Sequence, residues 1–367
     1  MSKMGLVIMV GAAIAPGPAV RLVQSARQEA ARDTLAAAQS TGLFDLIIVV
    51  TNDPFWACGL PVECVVDLDD TRHPFHFGRR LVSVIEHYGL THVLYMGAGS
   101  APLLGAPDLA RIAETIATSK SLLVTNNLHS SDWAAFTPAS LLSEFVTRVE
   151  RDNALAWVLA REGHLPSEAW QPTAASRLDI DTPTDLMILA RHPSCGPHLT
   201  TRLRELDLNT GRIDRAMAVL ASEGKHVVIA GRLASSTWSA LERGTLCWVR
   251  LFAEERGMVA SGRQASGQAR SLVGAYLEQV GMERFFETLE AWSDAVFWDN
   301  RVVLAHHGLW PSAEDRYASD LGWADQIEAP LLREMTERAG ASSIPIVLGG
   351  HSLVSGGLMA LVEAVNT

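Results

Sequence analysis

RLDIDTPTDL, residues 177–186, alternates apolar and acidic side chains and then turns at once into Thr-Pro. Side chains at i and i+2 of an extended segment project to the same side, so Asp179 and Asp181 would aim their carboxylates into one small volume at a strand end. Thr182 at the cap, Pro183 in the first turn and Asp185 three residues after the cap form a helix-start signature. An extended segment that feeds a capped helix is a junction of an α/β fold, and two carboxylates at a strand end invite a cation. Hard oxygen ligands of this kind suit magnesium, which keeps several waters and takes its remaining ligands from substrate phosphates. The alternative reading is a capped helix preceded by two solvated acids.

Working outward from this stretch, β-rich apolar runs alternate with amphipathic ones. GLVIMV is followed by the helical VRLVQSARQEAARDTLAAAQ, then FDLIIVV, ECVVDL, the helical FGRRLVSVIEHYG, THVLYM, the helical PDLARIAETIAT and SLLVTN. This is the rhythm of βαβ units, and it predicts a mostly parallel open sheet over residues 1–192, with Leu6 to Val10 as a buried strand. Residues 193–224 are punctuated by Pro and Gly, then helical, and hold no strand candidate, which predicts a helical connector. A second series, HVVIAGR, LCWVRLF, helices through SLVGAYLEQVGMERFFETLEAWSDA, RVVLAHH and IPIVLGG, predicts a second, smaller α/β domain over residues 225–367.

The chain has 367 residues and a formal charge of −11, which offers no general field for a phosphodiester backbone and argues against nucleic-acid binding. No apolar run reaches the ~18–20 residues of a membrane helix. Cys58, Cys64, Cys195 and Cys247 lack CxxC spacing and fit free thiols in a reducing cytoplasm. The partner expected is a nucleotide or another phosphorylated small molecule, and the reading allows a homo-oligomer.

LDIDTPTDL resembles the late motif of nucleotidyltransferases with a GT-A-like fold, which include the molybdenum cofactor guanylyltransferases and, more closely, the 2-phospho-lactate guanylyltransferases. DLIIVVTNDP is similar to the second strand and loop of that family, and YMGAGSAPLLGAPDLARI to its central strand, loop and helix. The resemblance covers residues 1–192 and implies a sheet of nucleotide-diphospho-sugar transferase type, with Mg2+ held by Asp179 and Asp181. It also implies transfer of a nucleoside monophosphate from a triphosphate to a phosphorylated or sugar-like acceptor. Two departures stand out. Ser100 occupies the place of the family's central metal-binding Asp, and the first loop, VGAAIAPGPAVRL, offers only the backbone around Gly11 and Gly17 plus Arg21 to grip phosphates. A non-catalytic nucleotide- or metabolite-binding protein on the same fold is the alternative that these departures favour.

Other loops compete for the role of site. Gly97 and Gly99 follow a strand and precede a helix, but Pro102 stands where a dinucleotide-binding turn has its third glycine. The stretch from Thr125 to Ala139 gathers Asn126, Asn127, His129, Ser130, Ser131 and Asp132, which either shape the loop as turns or read a base or sugar, with Asp132 as a replacement metal ligand. In the second domain, Gly350, His351 and Ser352 suggest a nucleophile elbow, yet Val354 replaces its glycine and no His follows; backbone amides there suit an anion better. Arg232, Arg256, Arg263, Arg270 and Arg301, with Glu254 and Glu255, fall near predicted loops, and the pair His306 and His307 ends an apolar run read as a strand. Together they make a second-domain enzyme acting on an anionic substrate the third expectation.

Overall fold

Among the described residues the apolar runs condense into eleven strands in two sheets. The computed structural model describes residues 2–70 and 72–367. The chain divides into two compact units, one of residues up to 14, 27–176 and 196–199, the other of residues 15–26, 177–195 and 200–367. The boundary expected at residue 192 falls inside the segment 177–195, which groups with the second unit.

In the first unit the strands are β1 (Met4–Val10), β2 (Leu46–Thr51), β3 (Val65–Leu68), β4 (His92–Gly97), β5 (Leu122–Thr125), β6 (Trp133–Thr137) and β7 (Ser167–Ala169). They form one sheet in the order β3-β2-β1-β4-β6-β5-β7. All neighbouring pairs are parallel except those made by β6, which runs against both β4 and β5. Successive side chains of β1 feed opposite faces. Leu6, Ile8 and Val10 pack with Leu35, Leu94 and Ile112 on one side, whereas Val7 packs with Ile48, Leu81 and Phe136 on the other. Covering both faces with helices is what makes such strands continuously apolar. β6 lies inside the stretch expected as a loop: the polar Asn126–Asp132 half is loop, and the apolar WAAFT half is a wholly buried strand.

The second unit holds four parallel strands, β8 (His226–Gly231), β9 (Trp248–Ala253), β10 (Ala295–Asp299) and β11 (Ile346–Gly349), in the order β11-β10-β8-β9. The connector region contains the helices Pro197–Glu205 and Gly211–Leu220. One expectation is corrected here. RVVLAHH, read as a strand ending at His306 and His307, is the helix Arg301–His306, and the strand is the preceding AVFWD. Both runs are short, and AVFWD and Arg301–Ala305 are buried without a break, so neither carries a periodicity that separates helix from strand. All four cysteines are free thiols, and among the described residues no helix is long and apolar enough to cross a membrane.

The 177–186 stretch lies against the loop that follows β11. Leu178 and Ile180 are buried while Asp179 and Asp181 are only partly so, the alternation of an extended segment with one face inward. Ser352 Oγ donates to the Asp179 carbonyl (2.7 Å) and accepts from the Asp179 amide (3.2 Å). Thr184 Oγ1 donates to the Leu348 carbonyl (2.6 Å). Gly356 makes this approach sterically feasible: a Cβ there would lie 2.1 Å from Leu178 N and 2.4 Å from the Arg177 carbonyl oxygen. Gly356→Ala is therefore expected to destabilise the second unit by about 1–3 kcal/mol or more, as overpacking does, measured as a lowered urea midpoint; an unchanged midpoint would contradict this packing.

Candidate functional site

Each unit presents one sheet edge where strand ends gather polar groups. In the first unit, the carboxyl ends of β1, β4 and β5 and the start of antiparallel β6 bring Gly11, Gly97, Gly99, Ser100, Asn126, Asn127 and Asp132 to a common edge. Open α/β sheets bind ligands at this kind of edge. The polar groups largely serve one another. Asn126 Nδ2 donates to Asp132 Oδ2 (2.6 Å), and the Asp132 amide donates to Asn126 Oδ1 (3.1 Å). Asn127 Oδ1 accepts from the His129 amide (3.1 Å), and Ser100 Oγ donates to the Asp132 carbonyl (2.8 Å). Asn52, which the sequence reading did not single out, exchanges hydrogen bonds of 2.7 and 2.9 Å with the Ala12 backbone and holds the first loop.

Gly17 and Arg21 group with the second unit. The first turn of the helix Pro18–Thr41 is capped by a carboxylate: the amides of Ala19 and Val20 donate to Glu314 Oε1 (2.7 Å) and Oε2 (3.1 Å). A Cβ on Gly17 would lie 2.3 Å from that carboxylate. The helix end at which a phosphate was expected thus has an anion of the chain's own, and Arg21 donates to the Pro16 carbonyl (2.6 Å). Glu314 is almost three hundred residues away in sequence, so no local signal could have revealed it.

In the second unit the carboxyl ends of all four parallel strands share an edge, and most of its polar groups come from the residues just beyond them. Asp299, which closes β10, is fully buried and takes a two-pronged contact from Arg232 beyond β8, with Nε to Oδ2 at 2.6 Å and Nη2 to Oδ1 at 3.0 Å. Despite burial, which opposes ionisation, the neighbouring Arg232 and Arg301 charges hold the Asp299 carboxyl below its usual range. Arg256, beyond β9, reaches His351, beyond β11, with Nη2 at 3.3 Å from Nε2. Burial, then the charges of Arg232 and Arg256, push the His351 imidazole down to about 4. Arginine only donates, so the neutral ring accepts at Nε2 and carries its proton on Nδ1. Asp181 is among the charges that act on His351. Gly350 presses on Thr182, whose Cγ2 would lie 2.9 Å from an added Cβ.

The structure therefore brings Asp179, Asp181, Arg232, Gly350, His351 and Ser352 together in one unit, joined by Asp299 and Arg256. The Ser352 hydroxyl is committed to the Asp179 backbone. Arg301 takes a different place, in a buried two-pronged pair with Asp320. His306 and His307 both face Glu278, at 3.6 and 3.3 Å, and His306 Nδ1 accepts from the Ser271 amide. Their position at a helix end follows from the corrected strand assignment.

Asp185, the third acid of 177–186, sits in the helix cap. Asp185 is fully buried and accepts at Oδ2 from the Thr182 amide (2.7 Å), the Thr182 hydroxyl (2.9 Å) and the Asp181 amide (3.1 Å), closing the helix cap. Burial and the nearby Asp181 charge nonetheless raise it from 3.8 to about 7. Among the described residues no group of three or more His, Cys, Asp or Glu side chains converges to hold a metal.

A carboxyl with a folded pKa above its unfolded one contributes stability that is complete below the unfolded value and lost as pH rises through the folded one. Asn cannot ionise. Asp185→Asn should therefore gain stability relative to the parent as pH rises from about 4 to 7, read from urea titrations at each pH, and a constant difference would refute the raised pKa.

No family model matches the chain, and no curated protein matches it. Among solved structures it is similar to a cytidylyltransferase from Leptospira borgpetersenii serovar Hardjo-bovis, with 15% identity and a TM-score of 0.41 over 56% of this chain and 94% of that one. It is similar to a nucleotidyl transferase from Methanothermobacter thermautotrophicus, with 17% identity and a TM-score of 0.39 over 55% of this chain and 99% of that one. It is also similar to a CMP:2-keto-3-deoxy-manno-octonic acid synthetase complexed with CTP, with 13% identity and a TM-score of 0.34 over 50% of this chain and 95% of that one.

Proposed function

We propose that the protein is a nucleotidyltransferase that moves a nucleoside monophosphate from a triphosphate to a phosphorylated or sugar-like acceptor and releases pyrophosphate. The observation that carries the reading is the 178–181 segment, whose apolar residues are buried while its two acids are only partly so, the alternation expected if both carboxylates share the opposite face. The resemblance of LDIDTPTDL to the late motif of that family points the same way. Asp179 and Asp181 would hold magnesium, which when bound supplies positive charge to offset that of the phosphates.

The chain's own contribution is positioning and charge, since phosphoryl transfer needs little covalent chemistry from the protein. Ser352 fixes the backbone of Asp179 on both its amide and its carbonyl, so the carboxylate leaves a rigid base. Arg256 lies on the same unit's sheet edge and is the exposed guanidinium nearest His351. An arginine there stabilises an oxyanion more strongly than water does, because its direction is set beforehand. Neutral His351 keeps Nδ1–H as a donor, and its low pKa makes it a poor general base near neutrality.

A second reading, binding without turnover, is favoured by the mutual pairing of Asn126 with Asp132 and the engagement of Ser100, which leave the first unit's edge without a ready carboxylate cluster. Pyrophosphate release with a panel of nucleoside triphosphates, magnesium and phosphorylated acceptors separates the two. Turnover by the parent chain that falls at least a hundredfold in Asp179→Asn and Asp181→Asn, the scale of losing a principal transition-state contact, is the expected result. Nucleotide binding with no pyrophosphate from any triphosphate would establish the second reading instead.

A further inference from the structure

A cavity of about 340 Å³ opens within the second unit, lined by Met187, Arg212, Ile213, Arg215, Asp320 and Leu348 among others. Its volume is within the range of small-molecule sites, ~300–1,000 Å³. Its lining includes apolar Met187, Ile213 and Leu348 and cationic Arg212 and Arg215. Arg212 and Arg215 stand three residues apart on the helix Gly211–Leu220, and so share a face.

The charges in this cavity do not balance. Asp320, its one acidic wall residue, is buried and taken up by Arg301, with Nη1 at 2.9 Å from Oδ1. Arg215 donates to the Ser343 carbonyl at 2.6 Å, a neutral acceptor. The Arg212 side chain makes no hydrogen bond and no ion pair among the described residues, and the Asp320 charge acts on it only from a distance. It has room for its guanidinium beside Gly322, where an added Cβ would lie 3.4 Å from Nη2. A partly buried guanidinium has five N–H donors and a desolvated charge, and such a group is costly unless an anion or good acceptors meet it. Burial and the like charge of Arg215 accordingly hold the Arg212 pKa below its usual range.

We propose that this cavity binds a small metabolite carrying an oxyanion, with its carboxylate or phosphate taken by the Arg212 fork beside Arg215 and its apolar part against Met187, Ile213 and Leu348. The planar guanidinium matches two oxygens of either group at once. The site is separate in composition from the edge that carries Asp181, Arg256 and His351, and it stands whether or not the chain transfers nucleotides.

The test is calorimetric titration of the full chain with inorganic phosphate, phenyl phosphate and hexanoate, at ionic strength held constant with chloride. Binding of at least one of these is expected, tighter for phenyl phosphate or hexanoate than for inorganic phosphate, and the better ligand identifies the headgroup. Arg212→Gln should weaken it at least tenfold, and Arg212→Lys, which keeps charge and loses the fork, by less; Arg256→Gln should leave it unchanged. The proposal is overturned if none of the three binds the parent chain, if Arg212→Gln and Arg212→Lys bind like the parent, or if Arg256→Gln abolishes binding.

Discussion

The second unit depends on one backbone-to-backbone approach, the seating of residues 177–186 against the turn after β11. Gly356 lets the two chains come closer than any side chain would permit, and Ser352 ties them by bonding both the amide and the carbonyl of Asp179. Thr184 adds a bond to the end of β11. These contacts bury Leu178 and Ile180, and in an extended segment burying those two dictates where Asp179 and Asp181 point. The same turn carries His351, so the acids and the imidazole share one anchor.

Electrostatics at this anchor are finely divided. Asp299 stays ionised through Arg232 although it is fully buried, while the Asp185 carboxyl is pushed up to about 7 by burial and by Asp181. His351 is kept neutral by burial and by two guanidinium groups. A cation bound beside Asp181 would offset the charge that raises Asp185, so metal binding and the protonation of the helix cap are linked. An anion beside Arg256 would act on His351 in the opposite sense, favouring its charged form.

Much of this was legible in the chain. The i, i+2 spacing of Asp179 and Asp181 and the Thr-Pro-x-Asp helix start were readable because they depend only on local geometry, as were β1 to β5 of the first unit, whereas β6 and β7 were not. RVVLAH was misread because so short a run lacks a period, and the true strand AVFWD fell between the expected helix, which ran to Ala295, and that run. Partners distant in sequence left no local trace. Glu314 at the amides of Ala19 and Val20 is one case, and the pairing of Asp299 with Arg232 is another. Arg212 and Arg215 were visible as residues, but that neither side chain touches a carboxylate among the described residues emerges only in three dimensions.

The central claim is that Asp179 and Asp181 take a divalent ion together with the phosphates of a nucleotide. Electron paramagnetic resonance of Mn2+, titrated into the chain with and without a nucleoside triphosphate, tests it most directly. The account predicts a bound-manganese signal that tightens when nucleotide is present and is lost in Asp179→Asn and Asp181→Asn. Equal manganese binding in the parent and both variants would contradict it.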